Sequence, residues 1–244
     1  MTSIYLLSVR QLAGKRRLLV LLLLCALPFV VATASGFAAE QPLPSHLDDV
    51  LLNGLLASAI LPIVVLAVAT AAFGDEVSDK TLANLTLTPL AHWQIAMPKA
   101  LAAITVSLPL VAAGAFGSVF LAYRLIPLDG AGRAATATVV AMGVGVVLYS
   151  MLFLWVGLVT SHPLAFGLLY VFVWEGLFGT FVNGIKYLSI RQYTLGIAKA
   201  VDGRRFSGPG QHMLGSSASI VASAIVTAGF AALIVRRLKR MDVP

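Results

Sequence analysis

GDEVSDKTLANLTLTPLAHWQIAMPK, Gly74 to Lys99, separates two long apolar runs, Val50 to Phe73 and Ala100 to Tyr123. Asp75, Glu76 and Asp79 place three of the chain's ten acidic residues within five positions. The stretch reads as a short helix. Gly74 breaks the preceding run, Asp75 caps, and Glu76 and Asp79 suit the positive end of a helix dipole. Leu82 and Leu85 share a face. Pro89 ends the helix, because it disfavours helical angles at Thr88. A second start at Trp93 leads through Pro98 and Lys99 into the next run. A short amphipathic helix between two membrane spans is a docking knob for a soluble partner. An ordinary solvated loop is the plainer reading of the same charges.

The flanking runs fix the class. The chain has 244 residues, 59% hydrophobic and 11% charged, against about 25% charged in an average soluble domain. Its mean hydropathy is +0.94. Runs of this length and composition cross a bilayer as helices, because backbone groups in lipid must be paired within the segment. The reading is an all-α integral membrane protein, a single transmembrane domain over residues 1–244, with six transmembrane helices at about 18–39, 50–73, 100–123, 134–159, 164–182 and 213–235. Thr2 to Arg17, with Arg10, Lys15, Arg16 and Arg17 among apolar residues, suits an interfacial helix or a plain basic flank. The first run is read as a retained span and not a cleaved signal peptide.

Charge sets the orientation. The net charge is +7, and the basic residues flank apolar runs, which points to lipid headgroups and not to nucleic acid. With the N-terminus inside, ten Lys and Arg fall on inner segments and seven on outer ones. Both termini and the Gly74–Lys99 segment are thus read as cytoplasmic in a multi-pass protein of the inner or plasma membrane.

Some chemistry is excluded. Gly74 to Thr81 reads G-x4-D-K-T, but it lacks the second Gly of a phosphate-binding loop and follows a membrane span, not a strand. Cys25 is the single cysteine, and His46, His92, His162 and His212 are scattered without metal-ligand spacing. No nucleophile and His meet at membrane depth, which argues against an intramembrane hydrolase. No catalytic residue and no metal site are expected. A secondary carrier or channel is the alternative, but it wants paired intramembrane charges or inverted repeats.

Pro28, Pro62 and Pro109 fall near the middle of the first three spans, where each removes a helix hydrogen bond and introduces a bend. Ala113 with Gly117, and Ala141 with Gly145, are small residues at helix-packing distance. Glu175 is the one ionisable residue clearly inside a span. Such residues face a cavity or a partner, and Gly176 and Gly179 nearby would let another backbone approach. Glu175 either lines the outer end of a path or latches the following segment, through Lys186 or Arg191; the plainer readings are a protonated Glu hydrogen-bonded to a neighbouring helix, or one reaching up to the outer interface. Ile185 to Val201 reads as a helix, followed by turns at Asp202–Arg205 and Ser207–Gly210.

Glu76, Thr81, Leu82, Leu85, Pro89 and Lys99 fit the pattern Glu-x3-Gly-Thr-Leu-x2-Leu-x3-Pro with Lys ten residues later, except that Lys80 replaces the Gly. This resembles the coupling region of type-2 ABC exporter permeases. The resemblance implies that Asp75, Glu76, Asp79, Thr81, Leu82, Leu85 and Pro89 dock into a cleft of a separate ATP-hydrolysing subunit. ATP and Mg would bind on that partner and no cofactor on this chain. The implied assembly has two ATPase copies and two permease chains, identical or not. It also implies that the helix within Asn183–His212 is a re-entrant outer gate; a simple interfacial helix fits those residues equally.

Overall fold

A computed structural model describes residues 2–37, 49–78, 92–125, 130–178, 188–203 and 215–241. The described residues are helical and contain no strand. In chain order the elements are α1 (Thr2–Leu12), α2 (Lys15–Gly36), α3 (Asp49–Ile60, wound as a π-helix), α4 (Leu61–Ser78), α5 (His92–Leu125), α6 (Ala131–Val159), α7 (Pro163–Leu169), α8 (Tyr170–Phe178, also π-wound), α9 (Ile190–Val201) and α10 (Ser216–Met241). Five stretches are long and apolar enough to cross a membrane: Lys15–Ser35, Val50–Phe73, Trp93–Leu125, Ala131–Val159 and Ser216–Arg240. The expected fifth span is represented by α7 and α8. It is apolar and helical, but its described part is shorter than the ~20 residues of a full crossing.

α6 is the hub, in contact with α4, α5, α7, α9 and α10. Its buried face carries Ala141, Gly145, Tyr149 and Phe153. α4 is buried as deeply: Leu61, Val64, Val65, Val68 and Ala69 are all enclosed. The outer helices are different. On α2, Leu19, Leu23 and Val30 are exposed, as are Ile220 and Ile225 on α10. Large apolar side chains bare to this extent would be a liability in water but match lipid.

Close packing uses small residues where helices cross. A Cβ built on Gly145 would lie 2.5 Å from both Leu61 Cδ2 and Thr194 Cγ2, so α3–α4 and α9 meet on the middle of α6 only because that side chain is absent. The α2–α5 crossing uses Gly114, against the Cys25 backbone, and Gly117, against the Phe29 ring. Gly117 takes the place expected of it; Ala113 is exposed, so Gly114, one residue on, is its true companion at this crossing.

Several expected boundaries are corrected. Gly74 does not break the span: α4 runs on to Ser78, so Asp75 and Glu76 continue its last turns and Asp75 does not stand at a helix start. A single interior Gly costs a helix only about 1 kcal/mol, which the continuing turns offset. The basic cluster is divided. α1 ends at Leu12, and Lys15, Arg16 and Arg17 form the first turn of α2. α1 packs along α5, with Leu12 fully buried and the Tyr5 hydroxyl donating to Thr105 Oγ1 at 3.2 Å. α5 starts at His92 and takes in Pro98 and Pro109; Pro28 lies inside α2. Pro62 is the second residue of α4, where the π winding of α3 gives way to α winding without a break, so its missing N–H falls at that junction.

Candidate functional site

The described polar residues of the bundle converge on Glu175. It sits on α8 and is 2% exposed. Its Oε2 accepts from Ser189 Oγ at 2.6 Å, and its Oε1 accepts from the Ile190 backbone N–H at 3.0 Å and from the Tyr170 hydroxyl at 3.1 Å. The Tyr149 side chain of α6 lies beside this carboxyl group. Local winding explains the Tyr170 contact. Residues five apart diverge on an α-helix, whereas the i→i+5 pattern of a π-helix brings them to one face. The aromatic neighbours are fixed in turn, Tyr149 stacked on Phe153 at 5.7 Å and Phe153 edge-on to Tyr170 at 6.3 Å.

Ser189 and Ile190 open α9, so Glu175 serves as a second, tertiary N-cap. Ser189 Oγ accepts from the Gln192 N–H at 3.4 Å while donating to Glu175. The carboxylate takes the Ile190 amide, one of the four that a helix start leaves without an internal partner. Its carboxyl oxygens also face the positive end of the α9 dipole. The helix it caps is amphipathic and largely buried: Ile190, Tyr193, Thr194, Leu195, Ile197 and Ala198 pack inward, mainly on α6 and α10. Thr194 rests on Gly145, midway between Ala131 and Val159. α9 thus reaches the middle of the hub helix.

The expected Glu175 latch is corrected in its partner. Arg191 does not pair with Glu175; its Nε and Nη2 donate to Asn53 Oδ1 of α3, at 2.9 and 2.5 Å. The reason is helical geometry. With Ile190 under the carboxylate, Arg191 points about 100° further round the α9 axis, toward α3. Lys186 lies outside the described residues. Among the described residues, a Cβ on Gly176 would meet the Val171 carbonyl of its own helix, at 3.6 Å. Gly179 lies outside the described residues, as do Asp79, Thr81, Leu82, Leu85 and Pro89. The helix of this segment begins at Ile190, later than the expected Ile185. The signal was present: Ser189-Ile190-Arg191-Gln192 fits the S-x-x-Q capping box.

Elsewhere in the bundle, Lys99 is buried at 2% exposure. Its ammonium donates to the Ala72 carbonyl of α4 at 2.6 Å and lies 4.6 Å from the centre of the Phe73 ring. Its charge contributes to orientation in the sequence, but the residue is a structural pin between α4 and α5. Together these two helices bracket the Asp79–Ala91 connection. The sequence profile of the ABC-2 family transporter proteins matches residues 14–182, from the start of α2 past the end of α8. The chain belongs to this family. It is a type-2 ABC permease, a multi-pass membrane component of a transporter, and the ATP-driven step belongs to an ABC ATPase partner in this family generally. No curated protein matches the chain. Among the described residues of this permease, no group of His, Cys, Asp and Glu could hold a metal ion.

Proposed function

We propose that the permease forms the membrane path of an ABC exporter in the inner or plasma membrane, paired with a second permease chain and driven by two copies of a separate ATPase subunit. The termini and the 74–99 segment face the cytoplasm. The ATPase docks on Asp75, Glu76, Asp79, Thr81, Leu82, Leu85 and Pro89, and α9 is a re-entrant gate at the outer side.

One observation supports this most: a short amphipathic helix, α9, enters the bundle to the middle of α6 and is held at its tip by polar contacts from two different spans. Glu175 of α8 caps its N-terminus and Asn53 of α3 binds Arg191. A shift of α3 relative to α8 therefore moves the helix or breaks one contact. Elsewhere, Lys99 ties α4 to α5 beside the docking segment. Docking energy delivered there has a rigid route through α4, which is continuous with α3 and so with Asn53.

The test is transport by the permease co-reconstituted with its ATPase. Leu85→Asp should release the ATPase, since a buried Leu is worth roughly 1.5–3 kcal/mol. Glu175→Gln should keep the ATPase bound and lower transport. A chain that transports at the parental rate with no ATPase subunit attached would overturn the reading in favour of a secondary carrier or channel.

A further inference from the structure

A groove of about 350 Å³ lies between the last turns of α6 and α10, lined by Trp155, Val159, Leu233, Arg236, Arg237 and Arg240. Its chemistry divides cleanly. Trp155 and Val159 are four apart on α6 and form an apolar wall with Leu233. On α10, Leu233, Arg237 and Arg240 follow one helical face, and Arg236 joins Arg240 across one turn. Three guanidinium groups thus close one end of a greasy slot, and among the described residues no acidic one lines it. Arg237 Nε is buried and has no hydrogen-bond partner. A buried donor without a partner is rare and calls for an acceptor.

We infer that this groove binds the phosphate headgroup of an anionic phospholipid, with the Arg236, Arg237 and Arg240 cluster on the phosphate and an acyl chain along Trp155, Val159 and Leu233. Arginine suits the role, because its planar fork matches phosphate oxygens two at a time. A soluble anion would satisfy the guanidinium groups but leave the apolar wall, including a 41% exposed Leu233, without a counterpart. The arginines lie beyond residue 182, where the family match ends, while Trp155 and Val159 lie within it. On the proposed orientation the bound lipid belongs to the cytoplasmic leaflet; the binding itself does not depend on that orientation or on transport.

The experiment uses the purified full chain in neutral detergent–phosphatidylcholine micelles, titrated with phosphatidylglycerol and followed by thermal unfolding and by native mass spectrometry of retained lipid. Phosphatidylglycerol should raise the melting temperature and remain bound, while added phosphatidylcholine should do neither. Arg237→Gln should weaken the apparent affinity about fivefold, the effect of one basic residue at an anionic surface. Arg240→Gln, at an exposed position, should act in the same direction and serves if Arg237→Gln fails to fold. Three results would overturn the inference: equal stabilisation by the two lipids, the same stabilisation by inorganic phosphate alone, or unchanged lipid affinity in a folded variant. Loss of a co-purifying ATPase with lipid selectivity intact would assign the arginines to the partner subunit instead.

Discussion

Replacing Glu175 by alanine removes the acceptor shared by Ser189, Ile190 and Tyr170. Hydrogen bonds between helices in membrane proteins are worth about 0.6 kcal/mol on average and up to about 1.7, whereas bonds to charged groups reach about 1.5–3 kcal/mol. The two hydroxyls can rotate toward other acceptors, but the Ile190 amide cannot. Loss of an N-cap adds about 1 kcal/mol. The expected cost is therefore about 3–5 kcal/mol for Glu175→Ala, concentrated at the start of α9. Glu175→Gln keeps the shape and one strong acceptor oxygen and should cost about 1–2 kcal/mol. Hydrogen exchange in detergent reads the effect locally. Amides of Ile190 to Thr194 should exchange faster in the alanine variant, with the glutamine variant between it and the parent, while the middle of α6 stays protected. Unchanged exchange at Ile190 in Glu175→Ala would show that packing alone holds α9 and would refute the capping account.

Three further outcomes follow from the geometry. Gly145→Leu should displace α9 and lower stability by about 1–3 kcal/mol, the usual cost of overpacking, seen as a lower melting temperature and faster exchange in α9. Lys99→Met keeps the apolar stem but removes the bond to the Ala72 carbonyl; it should cost about 1.5–3 kcal/mol, and a melting temperature equal to the parent's would count against the pin between α4 and α5. For orientation, a cysteine at Ser207 should react with an impermeant thiol reagent in intact cells and one at Ser78 should not; the opposite labelling pattern would invert the topology.

The spans and their packing were legible in the sequence because hydrophobicity and small residues act locally. The runs at Val50–Phe73 and Ala134–Val159 sit inside described helices, and Gly117 and Gly145 mark real crossings. Glu175 stood out because a lone acid among apolar residues needs partners. Which partners it finds is a tertiary matter: the contacts to Ser189, of Lys99 to Ala72 and of Arg191 to Asn53 join residues 14, 27 and 138 positions apart. No helical or strand period spans such distances. Gly74 misled for another reason. Glycine permits a break without requiring one, and the turns of α4 beyond it decided the matter. The π winding of α8, which aligns Tyr170 with Glu175, has no residue pattern that separates it from an ordinary apolar helix.

The bond between Asn53 and Arg191 also bears on how the protein is made. Chains emerge from the ribosome at about 5–20 residues per second, so Arg191, 138 positions later, appears roughly 7–28 s after Asn53 at those speeds. Throughout that interval a polar amide sits on an apolar helix already leaving the translocation channel, with its final donor not yet synthesised. α3 and α4, among the most enclosed segments of the finished bundle, are therefore among the first to enter the lipid and among the last to be sealed. Until α9 arrives, the Arg191 guanidinium is missing from Asn53, and nascent chains truncated before residue 190 should leave α3 less firmly packed than the full chain does.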